Sequence, residues 1–205
     1  MSKLCVLLDP GHGIETKGKR SPDGKLYEWK WAREMADMIK NRLIDLGISA
    51  TVIVTEEKDV SLGNRVLRAN TIAKNMKGLG YDCIYVSIHV NAANSDGQWH
   101  EARGLTNWIY TQASSKAKAI GKIYSTNSHI LGMDGNRWIP AIGYFTANYY
   151  VLKNTNMPAI LVEHFFQDNK QDVDYLLSEQ GKKECLNLHE VSILEYIRKY
   201  KYDTN

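Results

Sequence analysis

The sequence feature that most restricts the fold is the alternation of short apolar runs with longer amphipathic segments. Residues 3–8 form an apolar run of strand length, and residues 28–46 then carry apolar side chains at three- and four-residue steps, as in a helix that ends before Gly47. This pattern predicts strands at residues 3–8, 50–55, 82–89, 105–110, 149–152 and 159–162, and helices at 28–46, 60–76, 114–127, 171–177 and 181–200. Such alternation predicts an α/β protein whose sheet is covered by helices on both faces.

Composition places the chain among ordinary globular proteins. Its 205 residues are 43% hydrophobic and 24% charged, and without repeats or linkers they predict a single domain over residues 1–205. A net charge of +3 is too small to indicate a nucleic-acid partner. The first apolar run is too short for a signal peptide or a membrane span, so we expect synthesis in the cytoplasm without membrane insertion. Cys5, Cys83 and Cys185 are predicted to be buried free thiols.

Three residues capable of metal binding or acid–base chemistry follow apolar strand-like runs. His12 and His89 come at or just after the first and third predicted strands, and Glu163 directly follows the run at 159–162. The carboxyl ends of strands in an open α/β sheet converge on one crevice, so we expect these side chains to meet there. Catalytic zinc commonly takes three His or carboxylate ligands and leaves a fourth position to water. A single histidine or glutamate after a strand more often has a structural role, but the three residues together favour a zinc hydrolase.

Several neighbouring residues are weaker candidates. Asp9 is a candidate to orient a zinc-binding histidine, or is simply a turn residue before Pro10. Asn91 is predicted either to bind substrate or to cap its loop, and Arg65 to form a buried ion pair. The long polar connections at 13–25, 91–103 and 131–146 are typical of functional loops, and Trp99 and Trp138 within them are candidates to line a groove.

The order of motifs resembles the zinc-dependent N-acetylmuramoyl-L-alanine amidases of bacterial autolysins and phage endolysins. Residues 7–13 are similar to the family's opening strand and first zinc histidine, and residues 26–28 to the segment that carries its glutamate ligand. Residues 86–92 resemble the segment of the second zinc histidine, and residues 150–163 the stretch that brings the catalytic glutamate. Four motifs in this order, at compatible spacings, span most of the chain.

The resemblance implies a fold and a reaction. The expected fold is a twisted, mostly parallel sheet of about six strands, and one Zn²⁺ is expected to be bound by His12, Glu28 and His89. Glu163 is expected to act as general base and then acid in hydrolysing the amide between the lactyl group of N-acetylmuramic acid and L-alanine in peptidoglycan. Of these ligands, Glu28 is supplied by the resemblance alone, because it begins a helix and does not end a strand.

The resemblance also suggests origin and setting. With no signal peptide or added wall-binding domain expected, a phage endolysin or prophage-derived enzyme is favoured. Such an enzyme acts on the cell wall after release, and a monomer is favoured. One departure from the family is His164, after the catalytic glutamate, where a small or hydroxyl residue is usual. His164 is a candidate proton donor or oxyanion stabiliser, or else a structural or substrate-contacting residue.

Two alternatives stay open at the level of sequence. The first is a zinc carboxypeptidase-like exopeptidase, which uses the same residue types but needs an arginine in the cleft to bind a free carboxylate. No arginine of the sequence falls in a convincing place for that role. The second is a wall-binding module with a degenerate metal site. The presence of all four residues that the chemistry needs, His12, Glu28, His89 and Glu163, argues against this alternative.

Overall fold

The computed structural model describes residues 2–137 and 140–203. The strands are β1 (Lys3–Pro10), β2 (Ser49–Val52), β3 (Tyr81–Asn91), β4 (Thr106–Tyr110), β5 (Phe145–Ala147) and β6 (Ala159–Phe166). The helices are α1 (Glu28–Asp45), α2 (Leu62–Gly78), α3 (Ser115–Ile130), α4 (Tyr150–Asn154), α5 (Lys170–Leu177) and α6 (Glu179–Tyr200).

The six strands form one sheet in the order β2-β1-β3-β6-β4-β5. The strands β2, β1, β3 and β6 are parallel, whereas β4 pairs antiparallel with β6 and β5 pairs parallel with β4. The predicted α/β class and mostly parallel sheet are therefore confirmed. The carboxyl ends of β1, β3 and β6 lie side by side, while the reversed β4 brings its amino end to the same edge.

Each face of the sheet has its own apolar core. Alternate residues of the central strands, such as Val6 and Ile84, pack on one face with α1, α3 and α6. The residues between them, such as Leu7 and Tyr85, pack on the other face with α2 and α4. The predicted cover on both faces is thus confirmed, and the three cysteines are buried and free, as expected.

The structure corrects the sequence prediction in the segment before β6. Residues 149–152 were predicted as a strand, but Tyr150–Asn154 is the short helix α4. An apolar run of four residues has too little periodicity to separate the two possibilities. The helix buries Val151 and Leu152 against the core, and the Thr155 hydroxyl closes its last turn on the Val151 carbonyl. The actual neighbouring strand is β5, three residues long and absent from the sequence prediction.

Serine side chains cap the first turn of three helices. Ser61, Ser114 and Ser178 accept backbone N–H groups at the starts of α2, α3 and α6. Helix α1 differs, because its N-cap residue Tyr27 makes no side-chain cap. Its first residue, Glu28, is instead fully buried and directed at the sheet edge, which places a carboxylate there. Within the described ranges, no helix is long and apolar enough to span a bilayer.

Candidate metal centre and active site

The strand-end residues nominated by the sequence lie together at the carboxyl edge of the sheet. His89 lies on β3, and Glu163 is its register partner on the adjacent β6. His12 lies two residues beyond the end of β1, which pairs with the other side of β3. The rings of His12 and His89 are 5.0 Å apart between centroids, in an edge-to-face arrangement.

Glu28 joins this group from the start of α1. Its Oε1 lies 3.0 Å from His89 Nδ1 and 3.4 Å from His12 Nε2, and it accepts the backbone N–H of Val90 at 3.0 Å. The N–H of Glu28 donates to the carbonyl of Lys19, which ties the loop before the helix to this position. The negative carboxylate at the first turn also suits the positive end of the helix dipole.

These three residues are the group in the described chain that could hold a metal ion, with ligand atoms all within 4.8 Å of one another. Ligands at the usual zinc bond lengths of about 2.0–2.1 Å stand roughly 3.3 Å apart at the corners of a tetrahedron. The separations of 3.0 and 3.4 Å from Glu28 Oε1 to the two histidine nitrogens agree with that spacing. Glu28 Oε2 is buried without a hydrogen-bond partner, with the ammonium of Lys19 3.7 Å away. The donor set therefore fits zinc.

The charges within the group are coupled. Burial alone would raise the pKa of Glu28, but hydrogen bonds from His12 and His89 outweigh it and hold this pKa well below its ordinary value. Burial opposes protonation of His89, but the hydrogen bond to Glu28 and the charge of Glu163 raise the pKa of His89 above its ordinary value. A metal ion at this position must displace a proton from the histidine, so uptake of metal is expected to release protons.

Glu163 is placed and tuned as an acid–base group. Burial raises its pKa to about 7, an effect that the nearby His89 partly offsets. Its Oε2 is buried without a hydrogen-bond partner and lies on the same sheet face as the His89 side chain. A carboxyl group whose pKa is near neutral can both accept and return a proton, which is what a general base that becomes a general acid requires.

The loop that carries His12 is held by two arginines. His12 has a φ of 58°, a left-handed conformation that is costly for a residue other than glycine. Its carbonyl accepts Arg33 Nη2 at 2.9 Å and Arg65 Nη2 at 3.1 Å. Arg33 also reaches the Gly11 carbonyl, and Arg65 the Pro10 carbonyl at 2.6 Å. These four contacts fix the strained turn and so the direction of the His12 side chain.

Asp9 has partners other than those the sequence suggested. Its carboxylate bonds Arg65 Nη1 at 2.5 Å and the hydroxyl of Tyr85, and within the described chain it makes no hydrogen bond to a histidine. These contacts therefore do not support the predicted role of Asp9 in orienting a zinc histidine. Asp9 acts instead through Arg65, whose predicted buried ion pair is confirmed with both side chains at most 3% exposed.

His164 faces away from the site. Successive residues of a strand point to opposite faces, so the ring next to Glu163 lies on the other side of the sheet. There it is 0% exposed, packed against Trp31 and bonded to His189 Nε2 at 2.8 Å. Of the roles predicted for His164, these contacts support the structural one and not that of a proton donor or oxyanion stabiliser. Burial lowers the pKa of His164 to about 4.

Asn91 caps its own loop. Its Oδ1 accepts the N–H of Ala92 at 2.8 Å, and its Nδ2 lies 3.5 Å from Thr106 Oγ1. These local bonds favour the structural one of its two predicted roles. The side chain nevertheless stays partly exposed two residues from His89.

The polar loop at 13–25 contributes residues that the sequence patterns did not single out. Lys19 Nζ lies 3.7 Å from Glu28 Oε2 and lines an open hollow of about 520 Å³ together with Lys17, Arg20 and Trp29. A second hollow of about 180 Å³ is lined by His12 and His89. Lys19 therefore connects the candidate metal group to the first hollow, whose lining carries three basic side chains and also the acidic Glu15 and Asp168.

Aromatic side chains flank the site on the β4–β5 side. Trp108 stacks on Phe145 at 4.7 Å between centroids, and Tyr149 lies against the same indole at 5.5 Å. Burial, followed by the charge of Glu163, raises the pKa of Tyr149, which places this phenol within the field of Glu163. Trp99 is 39% exposed, as expected for a loop residue, and Trp138 lies outside the described residues.

Comparison with known proteins assigns the chain to a family. Residues 6–194 match the family described as Amidase_3, N-acetylmuramoyl-L-alanine amidase. The chain is 30% identical over 173 residues to the N-acetylmuramoyl-L-alanine amidase CwlM of Bacillus licheniformis, covering 84% of this chain and 60% of that protein. It is 25% identical over 201 residues to the endolysin of Bacillus phage SPP1, covering 96% of this chain and 67% of that protein.

A solved structure extends this similarity to the fold. The N-acetylmuramoyl-L-alanine amidase of Clostridium difficile 630 superposes with a TM-score of 0.81 at 26% identity, covering 97% of this chain and 98% of that one. The chain spans about 52–60% of the length of the first three curated relatives that it matches. The family match over most of the chain, the shared fold and the clustered His12, Glu28 and His89 together show that the chain belongs to the N-acetylmuramoyl-L-alanine amidase family.

Proposed function

We propose that this chain is a zinc-dependent amidase that cleaves the bond between the lactyl group of N-acetylmuramic acid and L-alanine in peptidoglycan. The observation that carries the proposal is the grouping of three ligand atoms within 4.8 Å beside the buried, unpartnered Oε2 of Glu163. His12, Glu28 and His89 would hold the ion. When bound, zinc supplies a Lewis acid that polarises the scissile carbonyl and lowers the pKa of water.

The remaining steps belong to the side chains of this protein. Glu163 takes the proton from the attacking water, for which its pKa of about 7 is suited, and then delivers it to the departing amine of L-alanine. Glu28 stays in place because its carboxylate is buried and accepts the Val90 N–H. Lys19, 3.7 Å from Glu28, places positive charge on the wall of the first hollow, where a peptide stem bearing carboxylates would be attracted.

The two arginines beside the His12 loop are not available for the terminal carboxylate that an exopeptidase would recognise. An exopeptidase needs a guanidinium free to bind the terminal carboxylate of its substrate. The two arginines that contact the His12 loop, Arg33 and Arg65, already bond backbone carbonyls, and Arg65 also bonds two carboxylates. Digestion of purified peptidoglycan followed by mass spectrometry of the new termini separates the two activities, because an amidase frees the L-alanine amine and leaves the lactyl carboxylate.

Two variants test the proposed roles separately. Glu28→Ala removes a ligand, so the purified protein is expected to contain little zinc by elemental analysis and to lose lytic activity. Glu163→Gln keeps the size of the side chain, so it is expected to retain zinc while activity falls by roughly 10²–10⁴-fold. Lys40→Gln, which breaks only an exposed pair with Asp37, is a control that should match wild type in both assays. A Glu163→Gln protein with full activity would refute the mechanism.

We further propose a phage or prophage origin and action on the cell wall after release. The similarity to the SPP1 endolysin supports this proposal. The genes that flank the coding sequence test the origin, since lysis or phage structural genes are expected beside it. Neighbours that serve only bacterial wall turnover would count against it.

A further inference from the structure

Three buried polar side chains lie behind the site, on the sheet face opposite Glu163. Tyr124 on α3, His164 on β6 and His189 on α6 are each 0% exposed, and the proposed chemistry uses none of them. Tyr124 Oη lies 2.9 Å from His189 Nδ1, and His189 Nε2 lies 2.8 Å from His164 Nε2. At the far end, His164 Nδ1 lies 3.0 Å from the backbone carbonyl of His89. The three side chains thus form one line of hydrogen bonds that ends on a proposed metal ligand.

The carbonyl at the end of this line determines the direction of every bond in it. Since a carbonyl only accepts, His164 must donate from Nδ1, and in its neutral form its Nε2 is then the acceptor. His189 must therefore donate from Nε2 and accept at Nδ1, which leaves the Tyr124 hydroxyl as donor. Both rings are neutral in this arrangement, and each ring nitrogen has one partner. Such a fully satisfied buried chain is rigid, because moving any member leaves a buried polar atom without a partner.

The carbonyl that receives the final bond lies at an irregularity in the sheet. His89 pairs in register with Glu163, but the next paired residues are Asn91 and Phe166, so β6 has an extra residue here. Phe165, directly after His164, has a φ of 60°. The backbone on both strands therefore departs from regular pairing at the place where His89 must present its imidazole. The N–H donor of His164, which is itself held on the opposite face of the sheet, restrains the His89 carbonyl at this irregular point of the strand pairing.

We propose that the line Tyr124–His189–His164 is a positioning device that holds the His89 peptide group so that its imidazole is aimed at the metal. This inference rests on the proposed metal centre. His164 is itself held from the side by Trp31, whose ring is 5.0 Å away between centroids and whose Nε1 donates to the Leu176 carbonyl at 2.9 Å. All four side chains are positioning residues and touch neither substrate nor metal.

Two substitutions of His164 separate positioning from simple packing. The amide of His164→Asn can place an N–H donor near the position of Nδ1 and so keep the bond to the His89 carbonyl. His164→Leu fills similar space without any donor. Both substitutions remove the bond to His189, so both are expected to lower the thermal midpoint. Only His164→Leu is expected to weaken Zn²⁺ binding, by about 10–100-fold as for other groups that orient metal ligands.

Further variants complete the design. Tyr124→Phe removes the donor farthest from His89 and leaves the last bond intact, so its loss of affinity is expected to be smaller than that of His164→Leu. Ile160→Ala is the control, because Ile160 is 0% exposed on the same face of the same strand and is not part of the hydrogen-bonded line. It is expected to lower the thermal midpoint and to leave Zn²⁺ affinity unchanged.

The measurements are Zn²⁺ dissociation constants by competition with a chromophoric chelator, well below the melting temperature of each variant, and the visible absorption spectrum of the Co²⁺-loaded proteins. A changed Co²⁺ spectrum in His164→Leu, with a near-wild-type spectrum in His164→Asn, is the expected result. If His164→Leu binds Zn²⁺ as tightly as wild type and keeps its Co²⁺ spectrum while melting earlier, the residue only packs and the positioning role is refuted. If wild type itself binds no Zn²⁺, the proposed metal centre fails and the positioning role fails with it.

Discussion

Replacing Gly11 with alanine is expected to disable the metal site without unfolding the protein. Gly11 lies beneath the ring of His89, and a Cβ added there would be 2.3 Å from Cε1, 2.5 Å from Nδ1 and 2.8 Å from Nε2. Ordinary van der Waals contact begins near 3.4 Å, so the ring must retreat by about 1.1 Å to restore it, from the 2.3 Å that separates Cε1 and the added Cβ. That retreat takes Nδ1 away from Glu28 and from the point where the ligand atoms converge.

The size of the effect follows from this displacement. A misplacement of about 1 Å at a reacting centre costs on the order of 10²-fold in rate, so kcat/KM is expected to fall by about that factor or more. The stability of the metal-free protein should change little. The hydrogen bond between His89 and Glu28, worth about 1 kcal/mol, is lost. Against this, alanine reduces the entropy of the unfolded chain by about 0.4–1 kcal/mol, and Gly11 does not have a positive φ that alanine would resist.

The assay compares wild type, Gly11→Ala and Gly63→Ala for zinc content, lysis of purified cell walls and urea unfolding after removal of metal. Gly63 lies in the first turn of α2 with nothing within 4 Å of an added Cβ, so alanine there should leave zinc and activity intact. It should stabilise the helix by up to about 1 kcal/mol. Full zinc content and full activity in Gly11→Ala would show that His89 does not lie over Gly11 in the working enzyme, and the ligand geometry deduced above would be refuted.

Two further predictions concern pH and the buried ion pair. In the unfolded chain His164 titrates near its ordinary value of 6.5, whereas burial holds its pKa at about 4 in the fold, so acidification over this window favours the unfolded state. His164 alone accounts for a loss of about 3 kcal/mol, and His189, whose pKa burial also lowers, adds to it. Urea unfolding of metal-free Glu163→Gln should show the loss, since the raised pKa of Glu163 acts with the opposite sign in wild type; a flat profile from pH 6.5 to 4 would contradict this account. Arg65→Ala leaves the buried Asp9 carboxylate without its cation and is expected to cost about 3–5 kcal/mol in the same assay. Arg68→Ala, which breaks an exposed pair, should cost no more than about 1 kcal/mol, and equal losses in the two variants would contradict the assignment.

Part of the site could be predicted from the sequence, because the carboxyl ends of parallel strands lie at the same edge of a sheet. His12 follows β1, and His89 and Glu163 lie in the carboxyl-terminal halves of β3 and β6, each after an apolar run that is visible in the sequence. The strands β1, β3 and β6 are neighbours in the sheet. Glu28 could not be found this way. An acidic residue in the first turn of a helix is already favoured by the helix dipole, so its presence there carries no separate signal for metal binding. Only the resemblance to a family nominated it.

Other features depend on tertiary contacts that leave no local pattern. Arg33 has the spacing of an ordinary helical residue, and its bonds to the Gly11 and His12 carbonyls appear only when α1 packs against the loop after β1. The two-residue alternation of β6 places His164 opposite Glu163, but the sequence prediction ended this strand at residue 162 and so kept His164 as a candidate for the site. Its partner His189, however, lies 25 residues away on α6, so the hydrogen-bonded line could not be predicted.

The reversed direction of β4 brings two connections to the edge of the site, and protein engineering could use this arrangement. Because β4 starts at the site edge, the connection that leads into it and the one that leaves α3 meet on the same rim, where Leu105 N–H donates to the Met133 carbonyl and Asn136 Nδ2 to the Glu101 carbonyl. None of the proposed ligands lies in either connection. Exchanging these two loops together between relatives should therefore transfer preference for one wall over another, while the parallel strands keep the reaction itself unchanged.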